Sequence, residues 1–223
     1  ALVCADALDF AEAVDLVRFR GQIMQEAVPP GEGAMAAVLG LEGTQMREVC
    51  SEAAMGQVLE PVNFNAPGQI VIAGHTAAVE RALVLCKEKG AKRVIPLPVS
   101  VPAHSALMRP AASRLEERLE QVHVRAPLVP EIYTVDVKTH GSPAAIRRAL
   151  VQQLYSPVLW VDTVRSMVNN QVNTIVECGP GKVLTGLNRR IERRKEIDVF
   201  AIYDIETIEA AITSSWERLD AAR

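Results

Sequence analysis

A chain of 223 residues is long enough to bury a sizeable core without disulfides or metals, and its length permits two domains. Hydrophobic residues at 49%, charged residues at 23% and a formal net charge of −3 exclude a disordered, collagen-like or globally basic chain and give nucleic-acid binding no support. With no run of about 18 apolar residues and no basic leader before an apolar stretch, the expectation is a cytoplasmic protein without a membrane span or export signal.

Cys4, Cys50, Cys86 and Cys178 lie far apart, with no CxxC and no paired histidines nearby, so reduced and mostly buried thiols are expected and no metal site is assigned. The first patterned segment opens on Asp9-Phe10-Ala11-Glu12, which has the form of a capping box. Phe10, Val14, Val17, Gly21 and Met24 then recur at intervals of three and four, which predicts a helix over residues 10–27, stopped by Pro29-Pro30-Gly31. Arg20 lies beside Val17, Gly21 and Met24 on that helix, whereas Arg18 points elsewhere. A half-buried arginine needs an anion.

From residue 33 the texture changes to short alternating units. Strands are expected at 33–41, 58–64, 69–73 and 93–97 and helices at 43–55 and 76–90, with Asn65-Ala66-Pro67-Gly68 as the turn between the middle strands. The order β-α-β-β-α-β is that of a ferredoxin-like unit, and residues 28–98 are assigned to it as a small subdomain. Residues 98–105 are extended, with Pro98 and Pro102 opposing helix, and a helical pattern follows through Leu107, Ala111, Leu115, Leu119 and Val122. His104 thus falls at a strand-to-helix junction. There α/β proteins expose catalytic groups, although on pattern alone a core or capping histidine is an equal alternative. His75, His123 and His140 lack ligand-spaced companions and read as surface or helix-end residues.

Residues 130–137 read as a strand. Ser142-Pro143 starts a helix reaching about Tyr155, on which Ile146, Ala149, Leu150, Gln153 and Leu154 share a face. Gln153 therefore looks inward, and a buried glutamine wants a partner. Helices at 160–168, 182–193 and 205–216 and strands at 173–178 and 198–202 complete the pattern. Strands alternating with helices on both sides of the inserted unit imply an α/β fold with a mostly parallel, helix-covered sheet, built from residues 1–27 and 99–223.

Gly179-Pro180-Gly181-Lys182 has the look of a phosphate-binding turn, but the spacing GxxxxGK[ST] is missing and Val183 stands at the hydroxyl position, so a tight strand-to-helix turn is the better reading. No GxSxG occurs, and Ser105 is too close in sequence to His104 to serve as its nucleophile partner.

The stretches ALVCADALDFAEAVDLVRFRGQIMQEAVP, GAMAAVLGL, PVNFNAPGQIVIAG, LPVSVPAHSALM, QLYSPVLW and ECGPGKVLTGL resemble, in order and spacing, the bacterial malonyl-CoA:acyl-carrier-protein transacylases. The resemblance covers nearly all of residues 1–208. It implies an α/β-hydrolase-like large subdomain with an inserted ferredoxin-like one, no cofactor, and transfer of a malonyl group from malonyl-CoA to the thiol of acyl carrier protein in fatty acid biosynthesis. By the same resemblance His104 is the general base, Arg20 grips the malonyl carboxylate and Gln153 accepts a hydrogen bond from the histidine, through its side chain or a free carbonyl of the last helical turn.

The nucleophilic serine of these transacylases lies in a GHSxGE elbow that residues 1–223 do not contain; it is expected upstream, with Ala1–Leu8 as the remainder of the elbow helix. The alternative is a non-catalytic body that holds acyl carrier protein or an acyl-CoA. Ala103 stands where malonyl-selective relatives often carry phenylalanine, so selectivity against methylmalonyl is in question. Arg189, Arg190, Arg193, Arg194 and Lys195 cluster at a helix end, either as solvated cations at a helix C-terminus or as a docking site for acidic acyl carrier protein, with Lys182, Arg147 and Arg148 as lesser candidates.

Overall fold

The computed structural model describes residues 1–99 and 101–221, with side chains up to residue 213; Ser100, within the stretch expected to be extended, lies outside the described residues. The chain forms two compact units, Ala1–Trp160 and Val161–Arg223.

Helix α1 (Phe10–Glu26) starts at Asp9, whose carboxylate accepts from the amides of Ala11 and Glu12. Of the expected stripe, Met24 is buried but most of the rest is not. Phe10, Val14 and Val17 are 70%, 51% and 68% exposed, and the helix buries Leu16, Ile23 and Met24. Two apolar stripes run along this helix, and packing on a neighbour, not periodicity, selects between them. Arg20 is half-buried all the same, because Leu16 and Ile23 lie one turn to either side of it. Residues 1–8 form turns, with Ala5 N donating to Ala1 O and Ala7 N to Leu2 O, and Arg125 holds the carbonyl and carboxylate of Asp6, a residue at φ 56°.

Strands β1 (Gly33–Leu39), β2 (Leu59–Ala66), β3 (Gln69–His75) and β4 (Arg93–Pro96) make one antiparallel sheet in the order β2-β3-β1-β4. Helices α2 (Gly43–Ala54) and α3 (Thr76–Glu88) cover one face, burying Met46, Val49, Cys50, Ala82 and Cys86 over Val38, Ile70 and Ile72. Arg81 closes the end of α2 by donating to the carbonyls of Ala53 and Ala54. The opposite face presents Met35, Val62, Val71 and Ala73, and Leu97 and Ala103 pack on it. The alternation expected for a two-sided strand thus places the segment before His104 directly on the sheet.

A 3-10 turn (Ala106–Met108) leads into α4 (Arg109–Glu120), and α5 (Pro143–Gln152) begins at Ser142, whose hydroxyl accepts from Ala145 N. Ile23, Met108, Leu115, Leu119, Ile146 and Leu154 join α1, α4 and α5 into a second core. Arg147 caps α4 through the carbonyls of Leu119 and Val122. The strand expected over 130–137 shrinks to β5 (Ile132–Tyr133) paired with β6 (Lys138–Thr139), since the amide of Val137, at φ 58°, turns back to the carbonyl of Tyr133.

In the second unit, β7 (Thr174–Cys178) and β8 (Asp198–Ile202) pair in parallel, accompanied by α7 (Val183–Ile191) and α8 (Ile205–Ala221); α6 (Trp160–Asn169) precedes them. Parallel strand pairing among the described residues is confined to β7 and β8, apart from one bridge between Asn63 and Val158 in the first unit. All four cysteines are free. Cys50 and Cys86 are buried, but Cys4, in the opening turns, and Cys178, at the end of β7, are exposed, against the expectation of mostly buried thiols. Among the described residues no helix is long and apolar enough to cross a membrane.

Candidate active site

The segment expected to be extended is instead turned, with Val99 N donating to Leu97 O and Ala103 N to Val101 O, and His104 lies in a turn at φ 66°, a left-handed conformation that a side-chain-bearing residue holds only when its surroundings over-determine it. Its amide donates to the Leu154 carbonyl at 2.9 Å, and its Nδ1 lies 2.7 Å from the Gln153 carbonyl. A carbonyl only accepts, so Nδ1 carries the proton and Nε2 is left as the basic nitrogen. The partner is thus the main chain of Gln153, at the C-cap of α5, one of the carbonyls that a helix end leaves unpaired. The Gln153 side chain lines a cavity of about 450 Å³ together with Arg20, Leu16, Leu119 and Tyr133. His104 does not line it. Arg20 nonetheless lies near enough for its charge to act on the imidazole.

Burial is the main influence on His104 and holds the imidazole below its usual value; the carbonyls of Gln153 and Ser156 oppose this, and the charge of Arg20 reinforces it. The net direction favours the neutral imidazole over its cation. Arg20 is itself held below the usual arginine value by burial, and among the described residues no carboxylate pairs with it. Ser105 is fully buried and its hydroxyl donates to the Pro102 carbonyl at 2.7 Å, so it is spent on the loop and unsuited to attack.

The sequence model of the acyl transferase domain matches residues 1–203. The chain belongs to the acyl transferase domain family. It is 58% identical over 191 residues to the malonyl CoA-acyl carrier protein transacylase of Escherichia coli K12, a match covering 86% of this chain and 62% of that protein. Among solved structures, an acyl carrier protein S-malonyltransferase from Vibrio cholerae has a TM-score of 0.92 at 52% identity, covering 94% of this chain and 68% of that one. A malonyl-transacylase in complex with a type II PKS acyl-carrier protein has a TM-score of 0.93 at 48% identity, covering 96% and 69%.

In this acyl transferase domain the sheet edge also takes part in the site, which periodicity did not reveal. Val158, just beyond Gln153, exchanges hydrogen bonds with β2: Phe64 N donates to Val158 O at 2.9 Å and Val158 N to Val62 O at 2.8 Å. His75, read as a surface or helix-end residue, precedes α3 and accepts the Val58 amide on Nδ1 at 3.0 Å. His123 is exposed, and His140 pairs with Asp136 at 3.0 Å.

In the second unit of the acyl transferase domain the Gly179-Pro180-Gly181-Lys182 turn has no anion to receive. The Glu177 carboxylate already accepts the amides of Leu184 at 3.1 Å and Thr185 at 2.7 Å and the Thr185 hydroxyl at 2.7 Å. Burial raises this carboxyl, but the bonds from Thr185, Leu184 and Val183 together outweigh that and hold it below its usual range. Of the arginine cluster, Arg189 donates to the Val199 carbonyl and Arg194 pairs with Glu192 at 2.9 Å, while Arg193 is exposed. Among the described residues no three His, Cys, Asp or Glu side chains converge to hold a metal.

Proposed function

We propose that residues 1–223 form the base-bearing part of an acyltransferase that moves a malonyl group from malonyl-CoA to the phosphopantetheine thiol of acyl carrier protein, in the cytoplasm and in the service of fatty acid synthesis. The observation that carries the proposal is His104 held at Nδ1 by the Gln153 carbonyl, with the charge of a half-buried Arg20 acting on the imidazole. The resemblance to transacylases across two thirds or so of their length supports it.

In this reading a serine of a GHSxGE elbow, a motif absent from residues 1–223, gives its proton to His104 Nε2 and attacks the malonyl thioester carbonyl. The imidazolium returns the proton to the departing CoA thiolate. The carrier thiol then loses its proton to the same nitrogen, its sulfur attacks the ester, and the serine leaves reprotonated. The Gln153 carbonyl orients the imidazole in both half-reactions and stabilises its cation without adding a charge, while Arg20 offers the malonyl carboxylate a two-pronged partner. We assign the large subdomain to 1–27 and 99–223, α/β-hydrolase-like in kind, and the small ferredoxin-like one to 28–98. The separate cores of α1-α4-α5 and of the antiparallel sheet support that division within the first unit.

Docking of the acidic carrier is assigned to the end of α7, at Arg189, Arg190, Arg193 and Arg194, where a cleft of about 430 Å³ opens beside β8. Arg189 and, among the lesser candidates, Arg147 each spend part of their guanidinium on main-chain carbonyls and offer the carrier only their remaining N–H groups.

The test is malonyl transfer from malonyl-CoA to holo-acyl carrier protein, followed by mass shift of the carrier, with the GHSxGE segment present. His104→Ala should slow it about 10²–10⁴-fold, the scale of general-base loss. Near-wild-type turnover in a folded His104→Ala protein refutes the assignment, and retention of acyl-CoA or carrier without transfer favours the binding body instead.

A further inference from the structure

The contact that sets the site's geometry from outside is made by Glu60. This residue lies on β2, opposite Ala73 of β3, and its Oε2 accepts the Ala106 amide at 2.8 Å. Ala106 opens the 3-10 turn two residues after His104, and the residue before it, Ser105, offers that turn no side-chain cap. A helical turn leaves its first amides unpaired, so the carboxylate of a distant strand does here what a local N-cap does elsewhere. Glu60 is also rigidly mounted. Val58 is pinned to His75 by two bonds, from its amide to the ring at 3.0 Å and from the His75 amide to its carbonyl at 2.9 Å. Gly74 admits no side chain beside it, because a Cβ there would stand 2.1 Å from the Val58 oxygen.

Two and four residues further along the same strand, Val62 and Phe64 hold Val158 and thereby the chain that follows Gln153. The edge of β2 therefore grips both partners of the His104–Gln153 contact, one through Glu60 and one through its main chain. We infer that Glu60 is a positioning residue for His104: it holds the Ala106 turn so that the strained backbone at residue 104 keeps Nδ1 on the Gln153 carbonyl. Displacing a catalytic group by about 1 Å can cost 10²-fold in rate, which is why such a remote support matters.

The contact's effect on His104 is independent of what the protein catalyses; its effect on rate rests on the acyl-transfer reading above. The two are separated by reading the imidazole directly. In the wild-type protein the Nδ1 proton of His104 should give a downfield, slowly exchanging NMR signal, assigned by its absence from His104→Ala. Glu60→Met keeps the length and removes the acceptor. Ala106→Pro removes the donor at a first helical position, where proline is tolerated, after a Ser105 already extended at φ −106°, ψ 166°. Both should broaden or lose the signal and, if the acyl-transfer reading holds, lower kcat roughly 10–100-fold with KM for the acyl-CoA little changed. Glu60→Gln keeps an acceptor oxygen without the charge and should keep both signal and rate.

An unchanged His104 signal in Glu60→Met and Ala106→Pro overturns the inference. So does a Glu60→Gln protein that behaves like Glu60→Met, since the charge and not the hydrogen bond would then matter. If one of the two disruptive variants fails to fold, the other decides; if both fail, the contact is a folding determinant and the positioning role is overturned. A lost signal with unchanged transfer would uphold the positioning role and refute His104 as the base.

Discussion

Replacing Arg20 by alanine separates a carboxylate clamp from an arginine that supports the fold. The side chain is half-buried and no carboxylate among the described residues pairs with it, so its removal breaks no internal ion pair. On the acyl-transfer reading proposed above, what it removes is the partner of the incoming malonyl carboxylate. Stranding one member of a desolvated charge pair costs about 2–5 kcal/mol, and partial exposure places Arg20 near the lower end, about 2–3 kcal/mol. That is roughly 30- to 150-fold in kcat/KM for malonyl-CoA. Acetyl-CoA has no such carboxylate, so its transfer should be unchanged or improved, and Arg20→Lys should rescue malonyl transfer only in part. A second readout follows from electrostatics: because the Arg20 charge depresses the His104 imidazole, Arg20→Ala should move the His104 titration upward toward its usual value. The assay is the ratio of kcat/KM for malonyl-CoA to that for acetyl-CoA at one salt concentration, alongside the His104 NMR titration. An equal fall for both substrates, with an unmoved titration, would refute the clamp.

Gln153→Ala preserves the carbonyl that holds Nδ1, so transfer should stay within about threefold of wild type, the scale of a ±0.5 kcal/mol surface change, and a loss comparable to that of His104→Ala would show that the side chain acts instead. His104 is depressed in the fold, so between its folded value and the unfolded value of about 6.5 the unfolded chain binds the extra proton; stability is full above about pH 6.5 and falls below it. Urea midpoints at pH 7.5 and 5.5 should show that acid-side loss shrinking in His104→Ala. Gly74→Ala forces a Cβ onto the main chain of Val58 and Leu59, which should cost about 3 kcal/mol, the upper end of overpacking, read from the shift in urea midpoint at constant slope. Glu177→Ala strips the start of α7 of its acceptor and should cost about 1 kcal/mol, as cap removals do, with faster amide exchange at Leu184 and Thr185; unchanged exchange there would deny Glu177 that role.

Element types along this chain follow from local chemistry. Asp9 and Ser142 are helix starts because their side chains reach amides two or three residues ahead, and the strands of residues 33–96 are legible from alternation and from Gly and Pro punctuation, contacts that lie within a few residues. Local pattern also singled out His104 and Gln153, although the helix expected to reach about Tyr155 ends at Gln152 and leaves Gln153 at its C-cap. What tertiary structure alone decided is which of two options a local pattern takes. Periodicity could not choose between the two stripes of α1, because choosing depends on what packs against it, and the stripe through Phe10, Val14 and Val17 is exposed. Nor could it say whether the side chain or the carbonyl of Gln153 meets His104, since both sit at one helix end and a distance decides. No local pattern singles out Glu60, whose bond to Ala106 joins positions 46 apart. Long-range hydrogen bonds leave no periodic trace, because the chain between their ends is free to be of any length and composition; only the folded sheet edge brings Glu60, Val62 and Phe64 against the two loops that carry the site.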